Sequence, residues 1–149
     1  MTSGGQSRAP TSRGCTCMRL RKVSRRVSQL YDQHLAPFGL TVTQYGVLGH
    51  LATFEGISIG DLAEKLIMDP TTLTRNLRPL QRQGFVTIKP DRHDRRARAL
   101  SLTAQGRKAF ERAKPGWVRA QGDIERLFGD QETPALNAAL DRVLAKLAT

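Results

Sequence analysis

Residues 58–102 have the pattern that most constrains the fold: two short amphipathic helices, then two short strands around a basic loop. Ser58 is a favourable N-cap for the first helix, and Asp69 with Pro70 favour the start of the second. Residues 85–88 and 99–102 are strand-like and enclose the loop DRHDRRAR at 91–98. Because two isolated strands form only a weak hairpin, they must pack on the helices. The second helix is expected to bury leucines at helical spacing, namely Leu73, Leu77 and Leu80.

Charge is unevenly distributed along the chain. The 149 residues are enough for one domain with a buried core, and the net charge is +11. Residues 1–31 contain seven Arg or Lys and no acid, while residues 75–98 contain eight basic and two acidic residues. Such concentration is typical of a surface that binds a polyanion. The alternative is a basic protein that binds nucleic acid through charge alone, without sequence preference.

The order helix, turn, helix, basic hairpin is the outline of a winged helix-turn-helix, which places its second helix in the DNA major groove and its hairpin, or wing, near the minor groove. Thr and Arg side chains of the second helix can bond base edges and phosphates, and its N-terminus offers N–H groups to phosphate. In the wing, we expect Asp94 to hold the Arg96 guanidinium in a bidentate pair, ready for the minor groove. The alternative is an ordinary solvated helix face and a flexible turn. The candidate DNA-binding residues are Thr71, Thr72, Thr74, Arg75, Asn76, Arg78, Arg92, Asp94, Arg95 and Arg96.

Helical segments flank this unit on both sides. Apolar residues from Leu20 to Leu35 recur at three-and-four spacing and predict one helix, and Thr43 is expected to cap the next. Toward the C-terminus a seven-residue repeat predicts a helical seam that residues 115–116 would interrupt, followed by a last helix from Pro134. The seam is either intrachain core or a dimer interface, and we favour the interface. Its repeating residues are Phe110, Trp117 and Ile124.

Three segments, GLTVTQYGVLGHL, ISIGDLAEKLIMDPTTLTRNLRPLQRQGFV and DRHDRRARALSLTAQG, resemble the MarR family of bacterial transcriptional regulators. The resemblance covers about residues 17–147. It implies a homodimer that binds a palindromic operator in double-stranded DNA, more often as a repressor. It also implies a DNA-binding region at 41–103, dimerisation helices at 17–38 and 104–149, and a minor-groove contact by Asp94 and Arg96. We therefore expect a disordered basic arm at 1–16 and a single domain at 17–149.

The resemblance further implies that a signal releases the DNA. The segment CTCMRLRKVSRRVSQLYD is similar to the first helix of the organic-hydroperoxide repressors, with Cys17 at the position of their reactive cysteine. Cationic neighbours and a helix N-terminus favour a reactive thiolate, and Cys15 could act as the resolving thiol. Of the tyrosines that surround the thiol in those repressors, Tyr31 is retained, while Arg21 and Val42 stand at the other positions. An inert cysteine pair is a third reading.

A small ligand is the signal that we favour. The family's usual pocket lies between the first helix, the second helix and the DNA-binding unit, and it would suit an aromatic or carboxylated effector. A histidine at helical spacing is also commonly a core residue. The candidate ligand-binding residues are Arg25, Tyr31, His34, His50 and Trp117.

Other classes of protein are less consistent with the sequence. It has no nucleophile–base set, phosphate-binding loop or paired carboxylates, so we do not expect an enzyme. Cys15, Cys17 and His34 lack an evident fourth ligand, and we expect neither a metal nor a cofactor. No apolar run approaches the ~20 residues of a membrane span, and no signal-peptide core precedes Cys15. We therefore expect a cytoplasmic protein.

Overall fold

The computed structural model describes residues 9–148, and the first eight residues of the predicted arm lie outside that range. The helices are α1 (Thr16–Leu35), α2 (Val42–Thr53), α3 (Ile59–Leu66), α4 (Pro70–Arg82), α5 (Ala104–Phe128) and α6 (Glu132–Leu147), with a 3-10 turn at Ala36–Phe38. Strands β1 (Val86–Pro90) and β2 (Arg98–Leu102) form an antiparallel hairpin. The predicted mainly α fold with a small β-hairpin wing is confirmed. Within residues 9–148, no helix is long and apolar enough to cross a membrane.

The hydrophobic core joins the hairpin to α2, α3 and α4. β1 pairs with β2 from Val86 opposite Leu102 to Pro90 opposite Arg98. The segment before α3 lies along the other edge of β2, where the Leu100 backbone N–H donates to the Ile57 carbonyl at 2.8 Å. The prediction that the leucine stripe of α4 is buried is confirmed. Side chains with at most 1% exposure here are Val47, Leu48, Leu51, Leu62, Leu73, Leu77, Leu80, Val86 and Leu100.

Hydrogen-bonding side chains fix where these helices begin. Asp69 caps α4 and Ser58 caps α3, as the sequence predicts. The prediction that Thr43 caps α2 is wrong, because Thr41 occupies the N-cap. Its hydroxyl accepts from the Gln44 backbone N–H at 3.2 Å, and the Gln44 side chain accepts from the Thr41 N–H at 3.0 Å. This reciprocal pair satisfies two N–H groups that the helix itself cannot.

The predicted interruption at residues 115–116 is not seen, because α5 is continuous from Ala104 to Phe128. Gly116 is buried in this helix where α1 ends. A Cβ there would lie 2.6 Å from the carbonyl oxygen of His34, so the missing side chain permits the close approach of the two helices. Gly116 thus serves helix packing within an unbroken helix that also contains Pro115.

Gly106 holds the start of α5 against the wing, and we predict that Gly106→Ala destabilises the protein. An added Cβ would overlap the Phe85 backbone carbonyl, which cannot move as a flexible side chain could. Overpacking of this kind costs about 1–3 kcal/mol in free energy of unfolding, measurable by urea denaturation. Gly46→Ala is the matched control, since its Cβ would enter open space within α2. That control should be neutral or stabilising by up to about 1 kcal/mol, and equal losses in both variants would contradict the packing argument.

Candidate nucleic-acid interface

The outer face of α4 is set by its buried leucines. With Leu73, Leu77 and Leu80 inside, the opposite side of the helix turns to solvent. Four of the predicted contact residues are exposed there and accessible to base edges or phosphates, namely Thr71, Thr72, Arg75 and Arg78.

The other two predicted contacts on α4 are partly occupied by the protein itself. The Thr74 hydroxyl donates to the Pro70 carbonyl at 2.8 Å. The Asn76 side-chain amide lies 3.6 Å from the Met68 sulfur and donates to it. Both residues are only partly exposed. Their side chains therefore face back toward the helix turn rather than directly outward.

The N-terminus of α4 differs from the expectation that its N–H groups are free for phosphate. The Asp69 carboxylate accepts from the Thr71 and Thr72 backbone N–H groups at 3.0 and 3.2 Å. The Leu73 N–H donates to the Asp69 carbonyl at 3.0 Å. A cap satisfies these donors and brings a negative charge with it. The anion-binding capacity of α4 thus resides in its Thr and Arg side chains.

The wing loop is shaped by two aspartates. Asp91 Oδ1 accepts from the His93 backbone N–H at 2.8 Å, and Asp94 Oδ1 accepts from the Arg96 backbone N–H at 3.0 Å. The expected bidentate pair between Asp94 and the Arg96 guanidinium is not formed. An aspartate readily bonds the N–H two residues ahead, because the short side chain reaches it in a turn. Asp94 therefore fixes the loop backbone and leaves the Arg96 guanidinium free.

Within residues 9–148, the cations of this surface take part in none of the observed ion pairs. Arg92, Arg95 and Arg96 are exposed. The ion pairs of Asp123 with His34 and with Arg126 involve neither α4 nor the wing. We call the exposed residues of α4 and the wing loop the reading head. Its unpaired positive charge suits a polyanionic partner.

α5 is anchored to the base of the wing through Thr103, which sequence reasoning missed. The Thr103 hydroxyl donates to the Gly84 carbonyl at 2.6 Å and accepts from the Gly106 N–H at 2.9 Å. The Thr103 backbone N–H donates to the Phe85 carbonyl at 3.0 Å. A threonine just before a helical run is an N-cap signal, but its bond to Gly84 could not be foreseen. These bonds join the start of α5 to the base of the wing.

Two of the five candidate ligand residues tie α1 to α5. The Tyr31 hydroxyl donates to Gln121 Oε1 at 2.5 Å, and His34 Nε2 lies 2.6 Å from Asp123 Oδ2. Burial, and secondarily Glu125, raises the pKa of Tyr31. The hydrogen bond with His34 is the main cause that lowers the pKa of Asp123. These side chains already have partners within the chain.

The remaining candidates are divided between two places. His50 and Trp117 line a groove between α2 and α5, whereas Arg25 is exposed on α1 and does not line this groove. The five residues thus do not converge on one pocket. The groove has a volume of about 440 Å³ and is lined by Val42, Tyr45, Gly46, Gly49, His50, Thr53, Phe54, Phe110, Lys114 and Trp117.

Aromatic rings and one cation define this α2–α5 groove. The Tyr45 ring centroid lies 4.8 Å from that of Phe110 and 6.4 Å from that of Trp117. Burial, and secondarily Glu111, raises the pKa of Tyr45. His50 Nδ1 is 2.8 Å from the Gly46 carbonyl, and Lys114 is exposed beside the rings. Sequence reasoning missed Tyr45 and Lys114 as groove residues.

The two cysteines lie at the start of α1. Cys15 is the N-cap residue and Cys17 is in the first turn; both are exposed and free. Tyr31 is fourteen positions further along the same helix, which places it ~21 Å from Cys17. The retained tyrosine therefore does not contact the thiol of its own chain.

Comparisons with known proteins agree on one family. A family model described as MarR family matches residues 38–97. The transcriptional activatory protein BadR of Rhodopseudomonas palustris is 37% identical over 95 residues, which are 62% of this chain and about half (51%) of that protein. An HTH-type transcriptional regulator of Bacillus cereus is 30% identical over 132 residues, covering 89% of this chain and 83% of the relative. The crystal structure of the M. tuberculosis transcriptional regulator MosR with DNA matches with a TM-score of 0.81 and 32% identity, covering 91% of this chain and 98% of that one.

Proposed function

The chain belongs to the MarR family of DNA-binding transcriptional regulators, and on that premise we propose that it is a homodimeric repressor released from a palindromic operator by a small ligand. The observation that carries the proposal is the reading head, which presents Arg75 and Arg78 from one helix face and Arg92, Arg95 and Arg96 from the wing. None of these is in an ion pair seen within residues 9–148. A helix and a wing with exposed cations fit the major groove and the adjacent minor groove.

The proposed DNA contacts fall into three groups. Arg75 and Arg78 make base or phosphate contacts in the major groove, helped by the exposed hydroxyls of Thr71 and Thr72. Arg96 enters the minor groove. Arg92 and Arg95 neutralise flanking phosphates, while Thr74, Asn76 and Asp94 chiefly shape the surface through their bonds to the protein.

Dimerisation is supported by α6, whose apolar side chains have too little cover within one chain. Leu144 is 49% exposed and Leu147 is 77% exposed. Leu136, Leu140 and Val143 on the same helix face are also exposed. A contiguous apolar face of this size marks an interaction surface. We assign the dimer interface to α6 with the exposed apolar residues of α1, and thus to the flanking helices at 17–38 and 104–149.

The α2–α5 groove is the proposed ligand site. Its stacked rings suit an aromatic ligand, and Lys114 at its side suits a carboxylate. A ligand seated there would press on both helices. Because α5 is bonded to the wing base through Thr103, a small displacement of α5 would move the wing and change the distance between the two reading heads of a dimer. That distance must match the half-site spacing for tight binding.

Oxidation of Cys17 is the alternative signal, favoured by the exposure of both thiols at the start of α1. A sulfenic acid on Cys17 would be accessible to Cys15 two residues away, with loss of water as the disulfide forms. The first turn of α1 would have to adjust to the disulfide. Because α1 belongs to the proposed dimer interface, this adjustment would change the distance between the two reading heads.

We predict that aromatic carboxylates such as phenylacetate or naphthoate release the protein from its operator through the α2–α5 groove. At saturation, operator affinity should fall about 10-fold, a usual size for coupling between two sites. Gly46→Leu should abolish this response but keep operator binding. Gly46 lines the groove and has open space beside it, so the leucine side chain would occupy the room that the ligand needs. Both quantities are measured by fluorescence anisotropy with an operator duplex, which is first located by footprinting the DNA upstream of the protein's own gene.

The same assay separates the two signals and tests the function itself. Cys17→Ser should leave ligand release unchanged; a peroxide response that disappears in this variant would instead support the redox alternative. Equal affinity for the operator and for a scrambled duplex of the same length would contradict the proposed regulator. A reporter gene whose transcription falls when the protein is deleted would indicate activation, as the name of BadR describes for that relative.

A further inference from the structure

The outward side of α1 carries a second concentration of positive charge. Arg21, Lys22, Arg25 and Arg26, which we call the α1 basic face, are all exposed. They stand at i, i+4 spacing, so that Arg21 and Arg25, and likewise Lys22 and Arg26, are neighbours along the helix. Like charges at this spacing destabilise a helix by a few tenths of a kcal/mol. The arrangement therefore favours an external anion.

The protein supplies no anion to this face in the part of the chain that the structure describes. Residues 1–31 contain no Asp or Glu, so α1 has none before Asp32. Within residues 9–148, the ion pairs of Asp123 on α5 with His34 and with Arg126 leave the α1 basic face untouched. Its positive charge is therefore directed at solvent.

The α1 basic face lies far from the reading head of its own chain. Tyr31 and His34 near the end of α1 bond Gln121 and Asp123, while Leu20 and Val23 near its start adjoin Ile124 and Phe128. α5 starts at the wing base, and Ile124 is twenty residues along it, or ~30 Å at the helical rise. This cluster is thus separate from α4 and the wing.

The chemistry of this face suits duplex DNA better than a lipid surface. A helix that lies on a bilayer inserts its apolar side, with the cations flanking it. Here the apolar side of α1 lies opposite the basic face: Leu20, Val23 and Val27 line a cavity of about 310 Å³ shared with α5 and α6, and the half-exposed Leu20 and Val23 belong to the proposed dimer interface. On the side of Arg21 and Arg25 the neighbouring residues are Ser24 and Ser28, so this part of the face suits phosphate neutralisation rather than insertion into a bilayer.

We propose that the α1 basic face is a second phosphate-binding surface for duplex DNA, distinct from the reading head. The proposal rests on the proposed function in that DNA is the partner. The phosphates come either from DNA that flanks the operator and bends back along the protein, or from a second duplex. In both cases the face adds affinity without sequence preference and raises the dependence of binding on salt.

The test compares wild type with Arg21→Gln/Arg25→Gln and with a control of equal charge, Arg119→Gln/Arg142→Gln, whose residues are exposed on α5 and α6. Affinities are measured by anisotropy over a range of salt concentrations, on the footprinted core alone and on the core extended by about three helical turns at each end. A phosphate contact contributes about 0.9 to the slope of log K against log salt. We expect the α1 variant to lose about 2 units per protomer on the extended duplex, with all three proteins equal on the core.

A second arm distinguishes the source of the phosphates. Protein bound to an immobilised core duplex is offered a labelled non-operator duplex, and capture that is lost in the α1 variant identifies a second duplex as the partner. The proposal is supported if the α1 variant loses salt dependence on the extended duplex, or loses capture of the labelled duplex, while the control variant keeps both. Equal slopes and equal capture for the α1 variant and wild type would overturn it, as would an equal loss in the control. A changed oligomeric state by light scattering would also overturn it, since the face would then bind another copy. If the wild-type protein bound a scrambled duplex as tightly as the operator core, the proposed function would be contradicted, whatever the α1 variant does.

Discussion

Leu140→Glu in α6 is expected to convert the protein to a monomer and to weaken operator binding at least about 100-fold. Leu140 lies in the exposed apolar face of α6, where a partner would cover it. An uncompensated carboxylate in such an interface is strongly unfavourable, because its burial has no paired cation. A monomer holds one half-site at a time and loses the gain of about 10²–10⁴ that linked binding provides. Light scattering reports the oligomeric state, and anisotropy reports the affinity.

Ala138→Glu is the matched control for this experiment. Ala138 is exposed on α6 and lies two residues from Leu140, on the opposite side of the helix. The same charge there should leave both the dimer and operator binding unchanged. If Leu140→Glu stayed dimeric with full affinity, the interface would have to lie elsewhere than α6.

The parts of the fold that follow from local sequence were predictable. Leu73, Leu77 and Leu80 are buried as their spacing requires, and the Asp69 cap starts α4 at Pro70. Both signals act within a few residues, where chain geometry leaves little choice. The failure at α2 is of the same local kind: Thr41 and Gln44 form a recognisable capping box, but Thr43 is an equally good cap by residue type.

The parts that depend on long-range contacts were not predictable. Tyr31 meets Gln121 across ninety positions, and Tyr45 stacks on Trp117 from another helix, so the sequence could not say which aromatic residues share a groove. The role of Asp94 was open for a different reason. Its carboxylate can reach either the Arg96 guanidinium or the Arg96 backbone N–H, and the turn geometry favours the backbone. Residue type alone does not separate these outcomes.

The bond from Asp94 to the Arg96 backbone sharpens what the wing should do on DNA. With the loop held by two aspartates, Arg96 is presented from a shaped backbone rather than from a flexible turn. Less conformational entropy is then lost when its side chain enters the minor groove. In the described part of the chain, the Arg96 guanidinium has no ion pair that it would have to give up. This arrangement predicts that Arg96 contributes more to operator affinity than an arginine that contacts only phosphate.

Arg96→Ala is therefore expected to lower operator affinity by about 30-fold or more, since each of two wings loses about 1–2 kcal/mol of minor-groove and charge interaction. Arg98→Ala is the control of equal charge, because Arg98 is exposed at the start of β2, paired with Pro90 outside the loop tip. Arg98→Ala should lower operator affinity only by the smaller amount that follows from the loss of one positive charge. Arg96→Lys separates shape from charge: a narrow minor groove prefers the less strongly hydrated guanidinium, so lysine should restore the salt dependence without the affinity. Equal affinities for the Arg96→Ala and Arg98→Ala variants would show that the wing contributes charge without entering the groove.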